Sequence, residues 1–547
     1  MSARRALLGV AFAAFAIRLA ALFVHGGPLA APTGYDDGVY FSSSALWLRG
    51  LLPYRDFVLV HPPGILWVFA LTSWLPDPGV AFAAARVLAC IAGGVSTLLI
   101  GCIVTRAAGP LGGIAAAALY ALYPDAVTAE RSAYLEPFLN LAVLSSMFAR
   151  ERRPFLSGVL CGAACAIKFW GGIWVIAALF KRERLRFLAG ACIAGLVLLA
   201  PIAFPALNEF ITQTLRFQLS RPPDGTLDLL TRAREMFFSG HAATSLLALM
   251  GIWKSRDRVF AIAMLLTIAG FFASSSYWVH YNSHLAVSQC VLAGLAVAAL
   301  GMRRSMVLAL LLLVFDARTI LRTLRPHPSA EMVAAAKTPG TFFAFDPSWS
   351  LAAHHLPVIP DTYATMLLPQ PDIRARLASS NSVLLGWRGI WQLSASDRAW
   401  FAAHFECTNP DAGNMCLWKR RATPRASSIE DQFIRFGEGW YDLEGDPPNT
   451  WRWMSRRSLM ALPAREGVLH LEFDHPELLT IELDGRVVRG LDVPVSGDAP
   501  HTLTITSARV FVPARERRWS RDTRELSVRL TRFAWRDRAA STGSGSP

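Results

Sequence analysis

Charge is scarce in this chain of 547 residues: 17% of them are charged and 53% hydrophobic, whereas an ordinary soluble domain is about 25% charged. That scarcity excludes a wholly soluble protein. Nucleotide-cradling motifs are also missing, with no Walker loop and no Gly-x-Gly-x-x-Gly followed by an acidic residue at the right distance. No repeat of solenoid period is present. The net charge of +14 would point to nucleic acid if the 54 Lys and Arg formed one basic face. They do not, so nucleic acid is not an expected partner.

What is present is long apolar sequence, concentrated before about position 320. A bilayer takes roughly 20 apolar residues per helix. The first run, 6–24, follows Arg4 and Arg5; it lacks a small-residue cleavage site and contains Arg18, so it reads as a membrane helix rather than a signal peptide. Further runs lie near 79–105, 110–123, 136–149, 154–169, 170–180, 187–206, 240–253, 258–276, 284–301 and 305–319, which makes about eleven spans. The stretch 154–180 reads equally as a hairpin or a broken helix.

Lys and Arg in short loops resist translocation, so their distribution orients the spans. With the N-terminus in the cytoplasm, the cytoplasmic loops hold 15 of them and the opposite short loops seven: Arg49, Arg55, Arg131, Arg216, Arg221, Arg232 and Arg234. Everything after about residue 320 then lies outside, as expected of a bacterial inner-membrane protein with extracytoplasmic C-terminal domains.

Six of the eight cysteines sit within apolar runs as small packing residues. The other two, Cys407 and Cys416, bracket a polar loop in the soluble part, where an oxidising compartment favours a disulfide over two unrelated thiols. Residues 1–320 therefore form the membrane domain. Residues 327–425 mix helical and strand patterns as a small α/β unit, 432–538 carry short strands at regular spacing as in a β-sandwich, and 539–547 are a flexible tail.

Polar groups are costly at a membrane, so chemistry is sought where they persist. The first external loop, 34–69, reads GYDDGVYFSSSALWLRGLLPYRDFVLVHPPGILWVF. Asp36 and Asp37 follow the first helix closely enough to face molecules held at the lipid boundary, where a carboxylate acts as general base toward a hydroxyl or amine. The bland alternative is an acidic helix cap. Residues 38–51 read as an amphipathic helix lying along the interface. Asp125, Glu130, Arg131 and Glu136 occupy the second external loop, and Tyr277, His280, Tyr281 and His284 a later one on the same side. His280 and His284 have a zinc-compatible i, i+4 spacing without a convincing third ligand, so no metal is assigned and a divalent ion stays open. Lys168, at the external end of an apolar run, is either functional or snorkelling to the interface.

The paired acids, the nearby Tyr40, the segment LRGLLPYRDF and the HPPG before an apolar helix together resemble the GT-C membrane glycosyltransferases, in the protein mannosyltransferase and aminoarabinose-lipid A transferase group. The resemblance is strongest over 30–180, is supported by His280 and Tyr281, and fades after about 320. It implies a polytopic α-helical fold and inverting transfer of a sugar from a polyprenyl-phosphate donor to an extracytoplasmic lipid, glycan or protein acceptor. It places the acceptor-activating acid on Asp36, with Asp37 adjacent, and matches Glu130 and Glu136 loosely to an acidic second loop. The residue before the two prolines, often Lys in the family, is His61 here. Arg55, Lys168, Arg221 and His280 are the alternatives for contacting the donor phosphate, with Tyr40 and Tyr281 beside them.

Two other classes compete with this expectation. A secondary transporter would show inverted repeats with polar groups near the midplane, whereas here they cluster at external helix ends. A membrane-anchored glycan-binding protein would use aromatics such as Trp440, Tyr441, Trp451 and Trp453 on the sandwich, which read rather as core aromatics of a small sandwich.

Overall fold

The computed structural model describes residues 3–24, 27–29, 34–179, 183–221, 224–226, 228–255, 257–306, 316–317, 319–321, 342–357, 359–367, 373–386, 390, 393–408, 415–446, 449–497, 499–516 and 522–537. The chain forms two compact units, Met1–Lys337 with Asp346–Pro369, and Thr338–Phe345 with Gln370–Pro547.

The first unit is helical. Ala3–Phe23, Pro78–Ala108, Arg184–Ser220 and Val279–Leu300 are long and apolar enough to cross a membrane, and Leu229–Phe237 and Ala242–Lys254 reach that length and apolarity only when taken together, with an 86° bend between them. Shorter apolar helices accompany them: Gly64–Ser73, Pro110–Leu122, Pro154–Ile167, Phe169–Ala178 and Val259–Ala273. This set is roughly compatible with the apolar runs in the sequence; the run 305–319 falls largely outside the described residues. Proline sets several of the starts, since its missing N–H costs nothing in a first helical turn: Pro78, Pro110 and Pro154 all open helices.

Two local features position the polar groups. The apolar stretch that starts at Pro154 is interrupted at Lys168, whose backbone is extended (φ −153°, ψ 134°), and the chain turns back there, with Cys161 Sγ 4.0 Å from the Gly171 carbonyl oxygen. Close packing fixes that break in place, because Gly158 lets Pro154–Ile167 lie against the Phe187 carbonyl, where a Cβ would collide. Tyr35–Leu48 was expected to lie along the interface. Instead it is buried from Asp37 to Leu46, packed against Gly64–Ser73 and Pro347–Ala352, with Ser44 donating to the Leu66 carbonyl at 2.9 Å. Ser43 bonds back to the Val39 carbonyl within the same helix, as an internal helical serine does.

In the second unit a four-stranded sheet runs Phe342–Ala344, Ser382–Gly386, Met415–Arg420, Phe405–Cys407, the first pair parallel and the others antiparallel. Cys407 and Cys416 form a disulfide with Cα atoms 5.9 Å apart. Two five-stranded sheets follow. Their shared core holds Met454, Met460, Leu469, Leu471, Leu503 and Ile505, and Gly467–Phe473 alternates buried and part-exposed residues as a half-buried strand must. Trp440 packs toward that core beside Phe436, ring centroids 5.2 Å apart. Trp451 and Trp453 alternate with the buried Met454 and so take the opposite face, where the Arg529 guanidinium lies 5.4 and 5.3 Å from their rings.

Candidate active site

Tyr35–Leu48 starts with its two acids in the first turn, where the positive end of the helix dipole favours them. Neighbouring helical positions point about 100° apart, so the pair divides. Asp37 turns inward to Arg86, whose Nη2 and Nε lie 2.7 and 3.1 Å from Oδ2, and its other oxygen accepts from the Ala133 N–H. Neither side chain reaches solvent. Asp36 stays 34% exposed, with its Oδ2 4.0 Å from His280 Nε2. Burial pushes its carboxyl above the usual range, His280, Arg221 and Lys168 oppose that, and Asp361 adds to it.

The groups acting on Asp36 arrive from separate elements. Lys168, buried at the break that follows Pro154–Ile167, holds Glu136 at 2.7 Å and sits 4.1 Å from the Tyr281 ring centroid. His280 contacts Tyr134 in a tilted arrangement and Tyr281 edge to face, with centroids 4.7 Å away in each case. Tyr40, one turn beyond Asp36, meets the His61 ring edge at 5.5 Å. Burial, then Lys168 and Arg221, pull the His61 imidazole down to about 3. It is therefore neutral at pH 7, one ring nitrogen a donor and the other an acceptor. A small recess opens between Glu136, Lys168, Trp170, Phe271 and Tyr281.

The segment 359–367 closes the side of this cluster. Tyr35 donates to Asp361 at 2.9 Å and accepts from the Tyr363 N–H at 2.7 Å, while Arg221 lies 5.9 Å from the Tyr363 ring. The Gly38 N–H donates to Ser348 Oγ at 3.0 Å, an approach that a Cβ at Gly38 would block. These contacts explain why Asp346–Pro369, assigned by pattern to the α/β unit, groups with the helices. Burial pushes the nearby Asp346 carboxyl up to about 7, with Asp37 and Asp36 adding to the rise.

Asp36, Tyr40, His61, Lys168, Arg221, His280 and Tyr281 are thus brought together. Arg55 and Glu130 are not. Arg55 is largely exposed and binds its neighbour Asp56 at 2.8 Å. Glu130 pairs with Arg18 at 2.7 Å inside the bundle and accepts from Tyr120 OH at 2.5 Å. Asn140 then links Tyr120 to His284, which accepts from Trp174 Nε1 at 3.1 Å. His284 is thus engaged by Asn140 and Trp174, while His280 lies beside Asp36. Among the described residues no three His, Cys, Asp or Glu side chains converge to hold a metal ion. Arg86 was missed by sequence reading, although an arginine eight residues into an apolar helix is costly without a partner. Asp361 and Ser348 carry no local signal.

Residues 59–302 match glycosyltransferase family 87. No curated protein sequence matches the chain. Among solved structures, ArnT from Cupriavidus metallidurans bound to undecaprenyl phosphate is similar with a TM-score of 0.53 and 13% identity, covering 76% of this chain and 97% of that one. Its apo state gives 0.51 and 14%, with the same coverage. The oligosaccharyltransferase of Archaeoglobus fulgidus gives 0.44 and 12%, over 76% of this chain and 73% of that one. The ArnT likeness establishes the fold, and the family match, beginning between Asp36 and His61, establishes the class of reaction. The chain is a membrane glycosyltransferase with the GT-C fold.

Proposed function

We propose that the protein moves one sugar from a polyprenyl-phosphate carrier to an acceptor hydroxyl or amine at the extracytoplasmic face of a bacterial inner membrane, with inversion at the anomeric carbon. The observation that carries this reading is the division of the two acids: Asp37 is neutralised by Arg86, while Asp36 remains part-exposed beside His280. Asp36 accepts the acceptor's proton as the acceptor atom bonds to the anomeric carbon. The bond from that carbon to the phosphate oxygen breaks, and polyprenyl phosphate departs. Lys168 and Arg221 offset the charge that develops on the leaving phosphate, with neutral His61 and Tyr281 as hydrogen-bond partners. Asp37 positions the helix that carries Asp36.

The distribution of Lys and Arg in the short loops supports the orientation. The likeness to ArnT, solved with undecaprenyl phosphate, supports the class of donor. Purified protein is to be incubated with a panel of polyprenyl-phosphate sugars beside Asp36→Asn. Loss of a general base is expected to slow transfer by about 10²–10⁴-fold. Undiminished turnover in the variant would remove Asp36 from that role.

A further inference from the structure

Three helices lead from the cluster around Asp36 to the other end of the bundle. Pro78–Ala108 carries Arg86 near its start and Arg106 near its finish, about 30 Å further along at 1.5 Å per residue. Glu136–Ala149 starts with the partner of Lys168, and Asn282–Leu300 starts beside Tyr281. At their far ends, together with Ala242–Lys254 and Val259–Ala273, they enclose a cavity of about 630 Å³. Small-molecule sites occupy about 300–1,000 Å³.

The lining is graded. Val104, Met147, Phe260 and Val291 are buried and apolar, while Arg106 and Lys254 are exposed at helix ends. Arg150 and Asp257 at the rim pair with each other. Arg106 stacks 3.7 Å from the Phe148 ring centroid and donates to the Phe148 carbonyl, with no carboxylate among its described partners. Lys254 has no ion pair with a described residue. Glu151 also stands on the rim, so that among the described residues three cations face two acids around an apolar interior.

We propose that this cavity binds an anionic phospholipid, its phosphodiester held by Arg106 and Lys254 and an acyl chain laid along Val104, Phe260 and Val291. The apolar interior favours a lipid over free phosphate, and the two cations favour an anionic headgroup over a zwitterionic one. Basic pockets between membrane helices on the cytoplasmic side hold such headgroups. The loops at this end are the Lys- and Arg-rich ones. The inference rests on the membrane topology and is independent of the transfer chemistry.

The test uses full-length protein in mild detergent, titrated with phosphatidylglycerol and phosphatidylcholine of identical chains and with glycerol 3-phosphate, and followed by native mass spectrometry. Phosphatidylglycerol is expected to bind preferentially, and the preference to fall about fivefold for each cation removed in Arg106→Gln and Lys254→Gln. Leu295→Trp, which narrows the apolar interior without changing charge, is expected to weaken retention of both lipids. Sugar transfer should persist in all three variants. Equal binding of the two lipids, a preference that survives both charge substitutions, or glycerol 3-phosphate binding as well as the lipid would overturn the proposal. Should the variants not fold, wild-type preference must weaken from low to high salt, and a salt-independent preference would equally overturn it.

Discussion

Asp37 and Arg86 share an ion pair of 2.7 Å from which solvent is fully excluded. Breaking a buried pair by removing one partner leaves a stranded charge and costs about 3–5 kcal/mol. Asp37→Asn and Arg86→Gln are each expected to lose stability on that scale in thermal unfolding, and the double variant to recover most of it. If the double variant also keeps Asp36-dependent transfer, Asp37 acts through position. A double variant as unstable as the sum of the singles would show that the two residues do not depend on each other.

The acid limb of the rate should belong to Asp36. It must be ionised to accept a proton, so kcat/KM falls as pH drops through its pKa, which burial has already raised. Lys168→Met and Arg221→Gln each remove a cation that opposes the rise. Both are expected to move the limb to higher pH, besides lowering the rate itself. A limb that stays in place in both variants would disconnect these cations from Asp36.

His61, held down to about 3, is already neutral throughout the range about pH 5–8. His61→Gln keeps a donor and an acceptor near the same place. Its pH profile is expected to run parallel to that of the wild type, with the loss seen chiefly in KM for the donor. A wild-type limb near pH 6.5 that vanishes in His61→Gln would show that the imidazole titrates.

Glu130 was grouped with the acids of the site, yet its partners are Arg18 and Tyr120. Glu130→Gln strands the Arg18 charge and is expected to cost about 3–5 kcal/mol while leaving the acid limb of the surviving activity unmoved. A displaced limb would return Glu130 to the neighbourhood of Asp36.

Much of the architecture was legible because it depends on local spacing. Apolar runs announce membrane helices wherever a bilayer must be crossed, and the alternation in GVLHLEF announces a half-buried strand. The loop with Asp36, Tyr40 and His61 stood out because polar groups are expensive beside lipid. Less legible was the helix Tyr35–Leu48, whose aromatic and serine pattern suits an interface but is buried by Gly64–Ser73 and Pro347–Ala352. Its environment comes from segments remote in the chain.

The same distinction governs the site. Sequence alone determined that carboxylates, histidines and aromatics collect at one end of a helical bundle, since that follows from helix length and the sidedness of charge. Tertiary structure decided which acid is spent and which is available. An ion pair needs a guanidinium or ammonium nitrogen within about 4 Å of the carboxylate, and Arg86 reaches Asp37, Arg18 reaches Glu130 and Lys168 reaches Glu136 only through helix packing.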